Sequence, residues 1–375
     1  MLLLARPASA DDFSPITSRA YAIDLYDGVA LGNSTMIGMG GAGAANVIGT
    51  AGVLLNPSAI AVRPTTDNGP WSLDYHLDFL TGTYSTDYDN NGAGATGGAW
   101  LLTGGLGGRY HDWGFAFTAT AQSAPVGESS GLTGQTLRAR FVVAKWLPAY
   151  DLSIGIGAQT AGFELQNGGR APLFSIAGTT AITGATWLPH GESFRLAAAI
   201  DGPIDGGEVK ADACDPENCN GYILPAHVRA PWRVVAGGAY RWAASAWNQQ
   251  VLGPFRDEQA VTVALDVVMS GATSHGYGLE AFGMQQLQRS GRHPAFSARG
   301  GVDYEWKPGR LRVRAGAYWE PSRFDHVGGR LHETFGIDLR VLAFHLWGPR
   351  RGRISLTGDV APRYRNVGIG VGLWH

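Results

Sequence analysis

The chain has 375 residues, with 29 Lys and Arg against 31 Asp and Glu, so there is no basic footprint for nucleic acid. No apolar run approaches the ~20 residues of a membrane helix. A transmembrane barrel stays open, because its strands alternate apolar and polar residues and its mean hydropathy is unremarkable.

The first residues, MLLLARPASADD, read as the tail of a secretory signal peptide. Residues 1–10 are the remnant, with Ala8-Ser9-Ala10 as the small-x-small site and Asp11 as the mature start. Residues 11–70 are too apolar and glycine-rich for a solvated tail. They contain Gly38-Met39-Gly40-Gly41-Ala42-Gly43, a literal G-x-G-x-x-G. A dinucleotide fingerprint comes after a buried strand, opens a helix and has an acid about 20 residues on. Here no continuous apolar strand precedes it, Gly49, Gly52 and Pro57 interrupt the residues downstream, and Arg63 and Pro64 stand where the acid belongs. The glycines are read as close backbone packing instead.

From Trp71 onward the period is two. Phe296, Ala298, Gly300, Val302, Tyr304 and Trp306 share one face, and Ser297, Arg299, Gly301, Asp303 and Glu305 the other. Strands are predicted at 71–81, 97–109, 113–123, 136–147, 151–163, 172–187, 193–201, 231–243, 259–271, 294–306, 309–320, 331–346, 352–361 and 365–375. A run of about 11 residues tilted by about 40° spans a bilayer core. The alternate face is small or charged, as in a lumen, rather than the bulky inner face of a sandwich. Short turns alternate with long, mostly polar connections such as 82–96 and 202–230. Aromatics flank the short turns: Tyr110, Trp113, Trp146, Tyr150, Trp187, Tyr240, Trp242, Trp247, Tyr304, Trp306 and Trp347. That is an interfacial girdle. The chain ends in Trp374-His375; barrels commonly end in an aromatic, usually Phe, so the His is a departure.

The fold predicted is all-β: a 14-stranded antiparallel transmembrane β-barrel over 71–375, with 11–70 as an N-terminal hatch of short helices and loops plugging the lumen. A charge at Val263, Leu265 or Ile337 should be costly, and one at Gly301 tolerated if the lumen has room.

Within such a hatch, Met36, Ile37, Met39, Val53 and Leu54 offer an apolar surface to a hydrophobic guest. Asn56-Pro57 fixes a turn before the wall. The polar path along the lumen comprises Asp74, His76, Asp78, Arg138, Arg140, Arg299, Arg312, Arg314, Asp338 and Arg340, with Asp303 and Asp359 facing the same way. These charges either hold a carboxylate headgroup or pair with each other and brace the barrel. Asp74, His76 and Asp78 recur every second residue, about 7 Å apart, too far to form a metal site unaided. No metal or cofactor is expected. GESSG (127–131) lacks the strand-to-helix setting of a nucleophile elbow, so no enzyme is expected either. Cys214 and Cys219, in CDPENC, are read as a local disulfide in an external loop.

MIGMGGAGAANVIGTAGVLLNPSAIA (36–61) resembles the hatch of the FadL/TodX family of outer-membrane hydrophobic-compound transporters. The match lies in Gly38, Gly40, Gly41 and Gly43, then Asn56-Pro57-Ser58-Ala59 where the family has Asn-Pro-Ala. GRLRVRAGAYWEPSRF (309–324) is similar to the family's eleventh strand and the loop after it. The resemblance implies a bacterial outer-membrane protein that takes up long-chain fatty acids or aromatic hydrocarbons passively. It also implies lipid, a hydrophobic ligand or detergent, and the barrel-assembly machinery as partners, and release of the substrate either sideways through a kinked strand, by position the third, 113–123, or down to the periplasm. PorV-like proteins share the signature, which makes a partner or shuttle of a secretion system the alternative.

Overall fold

The computed structural model describes residues 13–25, 32–63, 69–82, 87–94, 97–127, 130–168, 171–211, 214–251, 255–346 and 348–374. The signal-peptide remnant, residues 128–129 of GESSG, Trp347 and His375 lie outside these.

Among the described residues, fourteen antiparallel strands close a barrel. In chain order they are Trp71–Gly82, Trp100–Tyr110, Trp113–Pro125, Leu132–Leu147, Leu152–Asn167, Phe174–Trp187, Phe194–Asp201, Arg233–Ala243, Ala260–Ser270, Ala295–Lys307, Leu311–Glu320, Arg330–His345, Pro349–Ala361 and Tyr364–Leu373. Each pairs with its neighbour in sequence, and the last closes on the first, with Gly372 opposite His76 and Asn366 opposite Gly82. Closure removes the unpaired edges that an open sheet would present.

Alternation sorts the side chains. Leu106, Ile156 and Leu265 are 64–65% exposed on the outside, while Asp78, Arg140, Arg299 and Asp338 face inward and are buried. An apolar exterior around a polar interior inverts a soluble fold and suits a wall that meets lipid. At the short-turn end Trp71, Tyr110, Trp113, Tyr150, Trp187, Tyr240, Trp242 and Trp306 are exposed, as a girdle requires. Trp247 leaves the girdle. It is buried, because the connection after Arg233–Ala243 tucks it under the Arg195 guanidinium, 3.9 Å from the ring.

The third strand keeps an unbroken register with both neighbours, from Trp113 opposite Tyr110 and Lys145 to Ser123 opposite Trp100 and Gln135. The candidate kinked strand at 113–123 thus carries no register shift: every ladder position is filled. Register shifts in the wall occur at Tyr304/Lys307 and Arg340/Leu342, beside short turns. At the second, Val341 and Leu342 are both about half exposed, so the lumen face ends at Arg340.

At the other end the long connections form a cap with its own core. Ile204–Glu208, His227–Ala230, Ala22–Asp24 and Gly276–Tyr277 make a four-stranded sheet, and Ser14–Pro15 pairs with Gln286–Leu287. Ile23, Leu165, Leu224, Val228 and Phe282 are buried together there. This corrects two expectations. Residues 13–25 leave the lumen for the cap, and the connection 202–230 has a buried apolar side. The reason is periodicity: Val209, Leu224 and Val228 are too sparse to read as a pattern, yet each finds the same core. Strands Leu132–Leu147 and Leu152–Asn167 run longer than predicted because Leu132, Phe163 and Leu165 belong to that core. Cys214 and Cys219 are disulfide-linked in this cap.

Asp24 anchors the cap sheet. It accepts hydrogen bonds from Arg323 Nε (2.8 Å) and Nη2 (3.1 Å), Thr273 Oγ1 (2.7 Å) and Ser290 Oγ (2.7 Å). The Asp24 and Arg323 side chains are wholly buried, and removing one partner of such a pair costs about 3–5 kcal/mol. Arg323→Ala should therefore abolish amide-exchange protection at 22–24 and 227–230 while wall amides keep theirs; equal loss in both would refute a separate cap. On the wall, Leu265→Arg should destabilise the barrel by about 2–4 kcal/mol if the residue sits near a bilayer midplane, measured by denaturant unfolding in lipid vesicles.

Candidate functional site

The lumen is occupied by residues 32–63. They form two short helices, Ser34–Gly38 and Gly49–Val53, and a 3-10 turn, Pro57–Ala61. Asn33 caps the first helix through the Met36 N–H (3.0 Å), and Asn56 caps the turn through the Ser58 N–H (3.0 Å). Such short elements leave many backbone donors without partners of their own. The wall supplies carboxylates for them. The Ser34 N–H donates to Asp78 (3.0 Å) and the Thr50 N–H to Asp74 (2.5 Å). The Gly43 and Ala44 N–H groups both donate to Asp266 (2.8 and 2.9 Å), and the Gly40 N–H donates to Thr334 (3.0 Å). In the other direction Arg140 and Arg233 donate to the carbonyls of Val53 (3.0 Å) and Leu54 (3.3 Å) while sharing Asp201.

The glycine run now has a physical purpose. Gly40 and Gly41 have φ of +61° and +76°, conformations that favour glycine. Gly38 meets Gly336 of the wall, and the Met39-Gly40 backbone lies directly on Gly301 and Gly316, which are paired with each other. A side chain at Gly40 would press on the backbone of Ala317 at 2.6 Å. The lumen therefore has no room at Gly301, contrary to the sequence expectation, because the Met39 backbone fills it.

The apolar residues assigned to a guest mostly pack inward instead. Met36 and Met39 are buried with Val235, Val268 and Trp247, and Leu54 leans on the same cluster. Val53 is buried with Ile60, Ala116 and Val142. Asn56 donates to Thr186 Oγ1 (2.9 Å), and the backbone of Pro57 lies against Gly155. Ile37 lines a small cavity of about 50 Å³ on the cap side, with Leu80, Leu101 and Tyr318. Its polar wall is a buried network that sequence reading missed. His332 sits between Asp359 (2.8 Å) and Glu320 (2.8 Å), and its ring stacks on Tyr318, which donates to Asp359 (2.6 Å). These residues lie on three strands, and nothing in their spacing links them.

The predicted polar path is dispersed. Asp74 and Asp78 hold the segment, and His76 Nδ1 meets Thr50 Oγ1 at 2.9 Å. Arg138 stands with Arg140 and Arg233 near Asp201. Arg299 reaches the Gly41 carbonyl (3.5 Å). Arg314 forks onto Asp338 (2.8 and 2.6 Å) and also meets Asp303, while Arg353 adds a second cation to Asp338 (2.6 Å). Arg312 bridges Glu305 (3.0 Å) and Asp303 (3.4 Å). Arg340 is half-buried at the register shift.

Beneath the segment, toward the short turns, a second cavity of about 150 Å³ is lined by Asn46, Val47 and Ala51 above and by Arg195, Arg241, Arg312, Arg353 and Trp247 around it. Trp247, Phe255, Arg256 and Asp257 of the connection after Arg233–Ala243 shape its rim. There Arg351 hydrogen bonds hold the Asp257 carboxyl below the usual carboxylate range. Burial opposes the charge of Glu258, but hydrogen bonds from Ser245 and Arg256 prevail and lower it too. The segment thus contributes to both a small aromatic-lined space and a cationic one.

No protein-family model and no curated protein matches the chain. Solved structures do. The toluene transporter TbuX of Ralstonia pickettii superposes with a TM-score of 0.55 at 13% identity, covering 92% of this chain and 98% of that one. The CymD monoaromatic hydrocarbon channel gives 0.54 at 14% identity, covering 93% and 97%. The toluene transporter TodX of P. putida gives 0.54 at 12%, covering 95% and 98%. At such identities the likeness establishes the fold over nearly the whole of each chain.

The seat of the segment is testable from both sides. Gly40→Val and Gly316→Val should each expose residues 32–63 to limited proteolysis while the barrel stays folded by circular dichroism. Resistance in both variants would mean that the glycine contact does not hold the segment.

Proposed function

We propose that this protein is an outer-membrane channel for passive uptake of hydrophobic small molecules, in which residues 32–63 act as a hatch. The observation that carries this reading is the segment itself. Its backbone N–H groups are held by wall carboxylates beside the apolar packing of its side chains, and it stands between two separate cavities. Exchanging a few hydrogen bonds for others, each worth about 1 kcal/mol net and somewhat more to a charged acceptor, can shift such a segment without unfolding the wall. The apolar exterior fits lipid, and the short turns fit the periplasmic side of an outer membrane. The fold likeness to toluene transporters and a monoaromatic hydrocarbon channel supports a hydrophobic substrate, as does the cap-side cavity with Ile37, Leu80, Leu101 and Tyr318. The chain is read as a channel of the FadL/TodX kind rather than an enzyme.

Planar-bilayer conductance with labelled-toluene uptake tests this. Wild type should conduct little and admit toluene into vesicles. Deleting 34–56 should leave a folded barrel of much higher ionic conductance. A folded deletion mutant that conducts no more than wild type would mean that the segment closes nothing.

A further inference from the structure

The cavity toward the short turns has a charge imbalance that bracing alone leaves unexplained. Among the described residues, seven arginines and four carboxylates line it. Adding Arg314, Glu258 and Asp338, which pair with lining residues or their partners, makes eight cations against six anions among the described residues. The excess is concentrated on one side. Arg195 is only 3% exposed, and its partners are neutral: Asn248 Oδ1 at 2.8 Å from Nε, and the Trp247 ring. Among the described residues it makes no ion pair. Its neighbour Arg241 reaches Glu258 at 3.4 Å, but that carboxylate already holds Arg256 at 2.5 Å and Ser245 at 2.8 Å. His76, which is 3% exposed and lines the same cavity, has an Nε2 with no hydrogen-bond partner among the described residues. Buried cations and an idle buried ring nitrogen are costly unless something offsets them.

Size and lining narrow the identity of that occupant. A cavity of about 150 Å³ is the size known to admit one benzene ring. This one is walled by guanidinium groups, whose forks match a carboxylate and whose faces stack on aromatic rings. A bare hydrocarbon would leave the charges unanswered, and a simple inorganic anion would leave the ring-sized space unfilled. We propose that this cavity binds a single-ring aromatic carboxylate, with its carboxylate toward Arg195 and Arg241. The proposal rests on the channel reading and narrows its substrate class to amphipathic aromatic acids at this end of the lumen. Because Asn46, Val47 and Ala51 of the segment form one side of the cavity, an occupant also touches the hatch.

The test is binding to the purified full-length protein in micelles, by calorimetry, with benzoate, benzyl alcohol, inorganic phosphate and toluene as probes. Benzoate should bind saturably and weaken as salt rises, and benzyl alcohol should bind at least about tenfold more weakly, since it lacks the charge. Arg195→Gln and Arg241→Gln should each weaken benzoate by a similar factor while the barrel stays folded by circular dichroism. The idea is overturned if benzoate does not saturate, if phosphate displaces it at equal concentration, or if whichever of the two variants folds binds it as wild type does. Absent benzoate binding with intact toluene uptake removes this site alone. Benzoate binding without toluene uptake upholds the site and counts against the channel reading.

Discussion

The structure depends on how a piece of irregular backbone is housed inside a closed sheet. Backbone N–H groups removed from water must find acceptors, and short helical turns cannot supply them internally. Here the wall supplies them, through Asp74, Asp78, Asp266 and Thr334. Those acceptors reach only if the segment lies almost on the wall, and glycine on both sides permits that approach. Gly38 and Gly40 face Gly336, Gly301 and Gly316, so two backbones meet where side chains would normally separate them. One constraint therefore explains both the inward carboxylates and the glycine content.

Charge in the lumen obeys a second logic. Near mid-height the cations are spent on acids and carbonyls: Arg314 on Asp303 and Asp338, Arg140 and Arg233 on Asp201 and the segment. Such pairs are weak evidence for stability, because desolvation consumes most of the attraction, but they fix where the segment sits. Toward the short turns the balance tips to arginine, and the lining ceases to be self-sufficient. The same residue type thus braces in one place and is available in another, and only the count of neighbouring acids separates the two roles.

The cap adds a mechanical link. One stretch of chain contributes Ala22–Asp24 to the cap sheet, passes into the lumen as 32–63 and then enters the wall at Trp71. Asp24, held by Arg323, Thr273 and Ser290, fixes its outer end. The lumen segment is therefore tethered at both ends, which favours rearrangement within the lumen over expulsion from it.

The wall is legible in the sequence because a strand's side-chain period is local. Phe296 to Trp306 carries its own inside and outside, and alternation locates every wall strand to within a few residues. The glycine run is legible as close packing, though not its partner surface. The site is legible only in part. Asp74, Asp78 and Arg314 can be assigned to the lumen by parity, but parity does not say whom they meet. Asp266 and Asp201 share that parity, and nothing in the sequence sets them apart. His332, Glu320 and Asp359 come together across three strands, and Arg195 and Trp247 across a connection, so no spacing announces them. Alternation along one strand determined which residues face inward. The barrel's closure and the path of the N-terminal segment decided which of those became partners, because they depend on registers and contacts between residues hundreds of positions apart.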